Sequence, residues 1–298
     1  MKTECNSVIS AAYYTFFGAI MLMVSNAQAQ NLFEADFGSG NISEFTPGGA
    51  QSNFASGFGP DEPVGLAFNN AGDLFVSDLN SWNITEITPG GAQSTFASGL
   101  YAPWGLAFNS AGNLFVARYV GGSIIEITPG GVQSTFTSGL NGPEGLAFNS
   151  AGNLFELDYG SGSIIEITPG GVESTFASGL SGEEGLAFNS AGDLFVANSI
   201  SGIIYEFTPG GVKSIFASGL GNPAGLAFNN AGDLFVANGG GTIIKITPGG
   251  EQSTFASGLN NPAGLAFQGV TLPVPEPSTL GLLAVGLASL VARRRRNS

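Results

Sequence analysis

The tetrapeptide Gly-Leu-Ala-Phe begins at Gly65, Gly105, Gly145, Gly185, Gly225 and Gly264, a spacing of 40 residues four times and 39 once. A second marker, Thr-Pro-Gly-Gly, begins at Thr46, Thr88, Thr128, Thr168, Thr208 and Thr247. A period near 40 restricts the chain to an array of one repeated unit, either propeller blades or helical pairs. Each unit holds four short apolar runs rich in Phe, Ile and Val, separated by Asn, Gly and Pro, and none is long enough for a helix. In the unit that starts at Gly105 the pattern predicts strands A (106–108), B (114–117), C (124–128) and D (134–137). Asn109 to Asn113 supplies the turn between A and B, and Pro129-Gly130-Gly131 the turn between C and D.

The cuts in the repeat are as informative as its period. Its regular part begins at Leu32-Phe33, in a strand B, and ends at Leu265-Ala266-Phe267, in a strand A. The leftover B, C and D at one end and A at the other make one further blade. A closed ring needs that complementarity, because a sheet shared between the termini removes two unpaired edges. The expected fold is therefore all-β: a six-bladed β-propeller of four-stranded antiparallel blades, closed by strands B, C and D from the amino end and strand A from the carboxyl end. A parallel β-helix is the competing repeat architecture, but its periods are usually shorter.

Both ends carry sorting features. Residues 1–29 read as a signal peptide, with Lys2, an apolar run from about Val8 to Val24, and Ala27-Gln28-Ala29 as the small-x-small site for signal peptidase. The propeller is assigned to 30–268, and 269–279 to a linker with Val274-Pro275-Glu276-Pro277-Ser278-Thr279. Residues 280–292 form an uncharged hydrophobic segment and 293–298 a basic tail with four arginines. That order resembles the PEP-CTERM sorting signal. The resemblance implies recognition by an exosortase in the inner membrane of a Gram-negative bacterium, then delivery to the cell surface or beyond, in hosts that commonly make exopolysaccharide. Thirteen apolar residues are short of the roughly 20 that cross a bilayer, so the segment suits transient anchoring, with the arginines on the cytoplasmic side.

The blades resemble NHL-type propellers, whose Pro-x-Gly-Leu-Ala core precedes Gly-Asn/Asp-Leu-Phe-Val-Ala-Asp, and more loosely the gluconolactonase-like and virginiamycin-lyase-like propellers. That resemblance implies fold far more than function. It also places the loops from D to A and from B to C on one face, the top, around the central channel. The column before each Gly-Leu-Ala reads Val64, Trp104, Glu144, Glu184, Ala224, Ala263, and the column ending strand B reads Asp36, Asp78, Arg118, Asp158, Asn198, Asn238. Variation within near-identical blades marks where a function could be written, so Trp104, Arg118, Tyr119, Glu144, Asp158 and Glu184 are the candidate ligand-binding residues.

Glu144, Asp158, Glu183 and Glu184 on adjacent blades could hold Ca2+ or another divalent cation, which takes six to eight oxygen ligands. An aromatic beside polar groups could instead bind a sugar ring. The bland alternative is that the Asp and Asn column only satisfies loop amides. Relatives of the gluconolactonase type imply a metal-dependent lactonase or esterase, for which the column before Gly is incomplete here. The lyase relatives use a histidine base, and this chain has no histidine. If the protein were an enzyme, Glu144 or Asp158 would be the base, provided burial raised its pKa.

Composition narrows the classes further. Of 22 acids only Glu4 and Glu276 lie in the terminal signals, leaving 20 against Arg118, Lys213 and Lys245, so nucleic acid is not an expected partner. The one cysteine, Cys5, lies in the signal segment, which excludes disulfide and thiolate chemistry from the body. The expectation is a monomeric, exported surface protein that binds a polysaccharide or protein without catalysis, or else gives structural bulk to a matrix. Phe267 and Pro275 are close enough, at most ~25 Å of chain at about 3.3 to 3.6 Å per residue, that the bottom face would point at the membrane.

Overall fold

The computed structural model describes residues 30–59 and 62–269. The signal segment, the hydrophobic sorting segment and the basic tail lie outside the described residues, as does most of the linker. Among the described residues 24 strands form six four-stranded antiparallel sheets, and no helix is long and apolar enough to cross a membrane.

Blade 1 is the shared one. Its inner strand A, Pro262–Phe267, pairs with strand B, Leu32–Asp36, followed by C, Asn41–Phe45, and D, Gln51–Ser56. The register across the joint is Leu32 to Phe267, Phe33 to Ala266 and Glu34 to Leu265. Where other blades have a turn between A and B, blade 1 joins the start and the finish of the repeat region, held by Gln268 N donating to Asn31 O at 3.2 Å and Gln30 Nε2 donating to Gln268 O at 3.0 Å. The expected ring closure is thus what the structure contains.

Strand A starts earlier than its apolar run suggests. In blade 3 it spans Pro103–Phe108, with Pro103 opposite Arg118 and a register shift before Leu106. Proline fits there because the first residue of a strand can do without a ladder N–H. Strand C, expected to run to Thr128, ends at Ile127, since the Thr128 hydroxyl and carbonyl turn to accept from Val132 N and Gly131 N.

The joints between blades repeat one motif. The Phe of each strand B meets the Phe of its own strand D and the Phe of the next blade's strand A, all edge to face. Phe75 lies 4.9 Å from Phe96 and 5.0 Å from Phe108, and the last joint, Phe235 with Phe255 and Phe267, repeats this at 4.9 and 5.0 Å. Eighteen of the 24 phenylalanines serve these six joints. That the sixth joint matches the others is the packing counterpart of closure.

Nearer the axis the glycine of Gly-Leu-Ala is required by close approach. A methyl built on Gly65, Gly105, Gly185, Gly225 or Gly264 would lie 2.1 to 2.2 Å from a carbonyl oxygen of the neighbouring strand A. At Gly145 the same distance, to Glu184 O, is 3.2 Å. The joint between blades 4 and 5 is the wide one. There Leu157, in the hydrophobic cluster with Leu180 and Leu186, stands where four other blades have Ala and blade 2 has Ser77.

The bottom turns are copies. Asn69, Asn109, Asn149, Asn189 and Asn229 each accept, through Oδ1, from the amides two and four residues on, at 2.8 to 3.0 Å. The Asn-Ala-Gly-Asp segments are structural Asx turns.

Candidate functional site

All five non-glycine residues with positive φ among the described residues lie in top-face loops: Trp82, Tyr101, Ala102, Asn222 and Asn261, with φ of 61, 42, 56, 144 and 60°. Such conformations cost about 1 to 3 kcal/mol each and persist only where surrounding contacts over-determine them. The bottom face keeps its turns to glycine and Asx.

Those top loops surround a bowl of about 450 Å3 at the channel mouth. Strand A supplies Trp104 of blade 3 (Pro103–Phe108), Glu144 of blade 4 (Pro143–Phe148) and Glu184 of blade 5 (Glu183–Phe188). The loop after strand B supplies Phe37, Tyr119 and Tyr159. Trp104 and Tyr119 sit 5.7 Å apart, and Tyr119 and Tyr159 6.5 Å apart, so three rings run along one wall. Across from them the lining is small or neutral: Ala224, Ala263, Asn222 and Asn261, with Val64 next to Trp104. Below, the channel narrows to a neck lined by the Gly-Leu pairs of all six inner strands.

Glu144 is 5 % exposed, and its Oε2 has no hydrogen-bond partner. Burial pushes its carboxyl up to about 8, and the Glu184 charge beside it adds to the shift. Burial also raises Glu184, while its hydrogen bond with Ser199 pulls the other way. Behind them in strand B of blade 4 lies Glu156, 0 % exposed, with both oxygens unpartnered. Its neighbours across the ladder are Leu146 and Ile165, and it is pushed up to about 9 by burial first and then by Asp158, Glu173 and Glu144. Glu34 occupies the equivalent position in blade 1, equally buried and unpartnered. It rises to about 8 through burial and Asp36, with Ser43 opposing. Four other blades place Val76, Val116, Val196 and Val236 there.

Of the residues expected from sequence, Trp104, Tyr119, Glu144 and Glu184 do meet in the bowl. Asp158 does not join them, because its Oδ2 accepts from Asn141 N at 2.8 Å and its Oδ1 from Ser161 N at 3.0 Å. It ties the loop after B to the loop after D, as Asp36 does with Asn260 N and Ser39 N. Glu183 is 2 % exposed and accepts from Asn198 Nδ2 at 2.8 Å inside blade 5. Arg118 turns outward, its Nε donating to Ser123 Oγ at 3.0 Å and its guanidinium 5.9 Å from the Tyr101 ring. The four-acid metal cluster is therefore not assembled, and no group of three or more acids among the described residues could hold a metal ion. Loop amides claim Asp158, and the Asn198 side chain claims Glu183, before any ligand can.

Phe37 and Tyr159 were missed. The column one residue beyond strand B reads Phe37, Leu79, Tyr119, Tyr159, Ser199, Gly239, and comparing it across blades would have found both.

Residues 273–296 match the family model for the PEP-CTERM protein-sorting motif, so the chain is exported and sorted through a membrane-associated carboxyl-terminal signal read by an exosortase. No curated protein sequence matches the chain. Among solved structures, a chain of the nidogen/laminin complex aligns with a TM-score of 0.72 at 18 % identity, covering 80 % of this chain and 98 % of that one. A gluconolactonase from Xanthomonas campestris aligns with a TM-score of 0.62 at 19 % identity, over 70 % and 83 %. Virginiamycin B lyase from Staphylococcus aureus gives 0.59 at 18 %, over 70 % and 77 %. At such identities the likeness is one of fold, and the gluconolactonase-like propeller architecture is shared.

Proposed function

We propose that this protein is a non-catalytic binding propeller at the surface of a Gram-negative cell, which captures a ligand in its top-face bowl and contributes to the exopolysaccharide matrix. One observation carries the reading: an aromatic-walled concavity built from the residues that differ between otherwise copied blades, with an unpartnered buried carboxylate in its lining. Aromatic walls with few polar groups are what small-ligand sites present, and strand A of blade 1 ends at Phe267 on the face opposite the bowl, which favours a bowl turned away from the membrane. The chain acts as a monomer. A glycan array with the secreted protein tests this: binding is expected, and Trp104→Ala lowers it about tenfold while leaving the melting temperature within a few degrees. Undiminished binding in that variant would relocate the site.

A second reading, hydrolysis of a lactone or ester, is favoured by one feature. Glu144 at about 8 lies in the range where a carboxylate serves as general base near neutral pH. It predicts turnover of a lactone by wild type that Glu144→Gln abolishes. Turnover that EDTA removes would assign it to a bound divalent ion instead, and absence of turnover excludes the reading.

A further inference from the structure

The bowl has two carboxylates and no counter-charge. Among the described residues the three cations are engaged elsewhere: Lys245 pairs with Asp233 at 2.7 Å, Lys213 lies 3.7 Å from the Tyr205 ring centre, and Arg118 is held by Ser123. A buried carboxylate without a partner is costly, and no cationic side chain among the described residues pairs with Glu144. A Ca2+ ion would want six or more oxygens, whereas the lining next to these acids, on blades 3 and 4, is made of the aromatic rings of Trp104, Tyr119 and Tyr159. Rings bind a cation through their faces, best when it is weakly hydrated and carried on an organic frame.

Resting on the binding function proposed above, we infer that the ligand is an organic ammonium, held on the side of the bowl where the rings of Trp104, Tyr119 and Tyr159 adjoin the carboxylates of Glu144 and Glu184. The bowl's 450 Å3 falls within the roughly 300 to 1,000 Å3 of small-molecule sites, so the ammonium can be borne on a ring. Asn222 and Asn261 on the opposite rim can bond the hydroxyls of such a ring. The same chemistry can arrive as an amino sugar of a polymer or as a free amine.

Calorimetric titration of the mature protein at pH 7 separates these. The probes are a glucosamine hexamer, its fully N-acetylated form, choline, and a neutral glucan hexamer. The expected result is that the glucosamine hexamer or choline binds at least tenfold tighter than the acetylated and neutral oligomers, and that Glu144→Gln and Trp104→Ala each weaken this tenfold or more. Binding by the glucosamine hexamer alone assigns a polymer source, and binding by choline assigns a free amine.

A second readout follows protons. Because Glu144 is largely protonated at pH 7 when the bowl is empty, cation binding should release a proton. The apparent heat should then differ between phosphate and Tris in wild type and much less in Glu144→Gln, whose unaltered melting would show that its bowl is intact. Equal affinity for the free and acetylated hexamers overturns the inference and leaves the binding function standing. Failure of every probe overturns the inference, and an inert glycan array would then remove the binding function as well.

Discussion

Blades 4 and 6 share their phenylalanine joints and their strand lengths, yet among the positions at which they differ five lie together. Glu144, Glu156, Leu157, Asp158 and Tyr159 in one stand where Ala224, Val236, Ala237, Asn238 and Gly239 stand in the other. All five are on the inner strands A and B or the loop after B, whereas the bottom turns, though Ser150 and Asn153 stand where Asn230 and Asp233 do, keep the same hydrogen bonds to the backbone. The outer and lower parts make the ring, and the inner upper part can change because the ring does not depend on it. Blade 4 spends stability there: a buried unpaired carboxylate, a wider joint and an aromatic rim, none of which closure requires.

The largest expected effect of erasing that difference comes from Glu156. Its ordinary value of 4.5 is raised to about 9 in the folded chain, so the folded state holds a proton that the unfolded state releases above about 4.5. Stability should fall as pH rises from about 5 to 9 and level off beyond, by an amount on the order of 5 kcal/mol, with Glu34 adding in the same direction. Glu156→Val, the residue of blade 6, should raise the melting temperature at pH 8 and flatten this slope. Thermal melts across that range check it, and a variant with the wild-type slope would show that Glu156 is not buried as described.

Leu157→Ala should cost about 3 kcal/mol in chemical denaturation, within the range for deleting a buried leucine side chain, although Ala237 is native in blade 6. If it costs nothing, the joint between blades 4 and 5 closes up when the wedge is removed. Gly225→Ala should cost about 1 to 3 kcal/mol, because its methyl would lie 2.1 Å from Ala263 O. Gly145→Ala, with 3.2 Å to Glu184 O, should cost less than half as much, and equal losses would deny that this joint is wider. The smallest effect tests sameness. Asn109→Ala and Asn149→Ala should each cost about 1 kcal/mol and match one another, since each removes the same two amide hydrogen bonds, and Asn229→Ala should cost slightly more because its Nδ2 also donates to Asp233.

Much of the ring was legible in the chain because its cause is periodic. Gly-Leu-Ala-Phe places one glycine at the crowded axis and one ring at each joint, and the leftover strands at Leu32 and Phe267 announce their own pairing. The bowl was partly legible: Trp104, Glu144 and Glu184 stand out in a column whose other members are Val and Ala. Asp158 misled because its fate is decided by how near the loops after B and D approach each other, a tertiary distance that no column reveals, and Glu183 because it lies opposite Asn198 across the strand A to B ladder, a pairing set by the register shift in that strand. Glu34 and Glu156 replace valine in plain sight. Only the structure shows that no cation accompanies them into the interior.

The most direct test of the bowl is crystallographic. Crystals of residues 30–269 soaked with glucosamine hexamer should show one sugar ring stacked on Trp104 and Tyr119 with its amine against Glu144. Density at the bottom turns, on the outer strands, or nowhere on the top face would contradict the account.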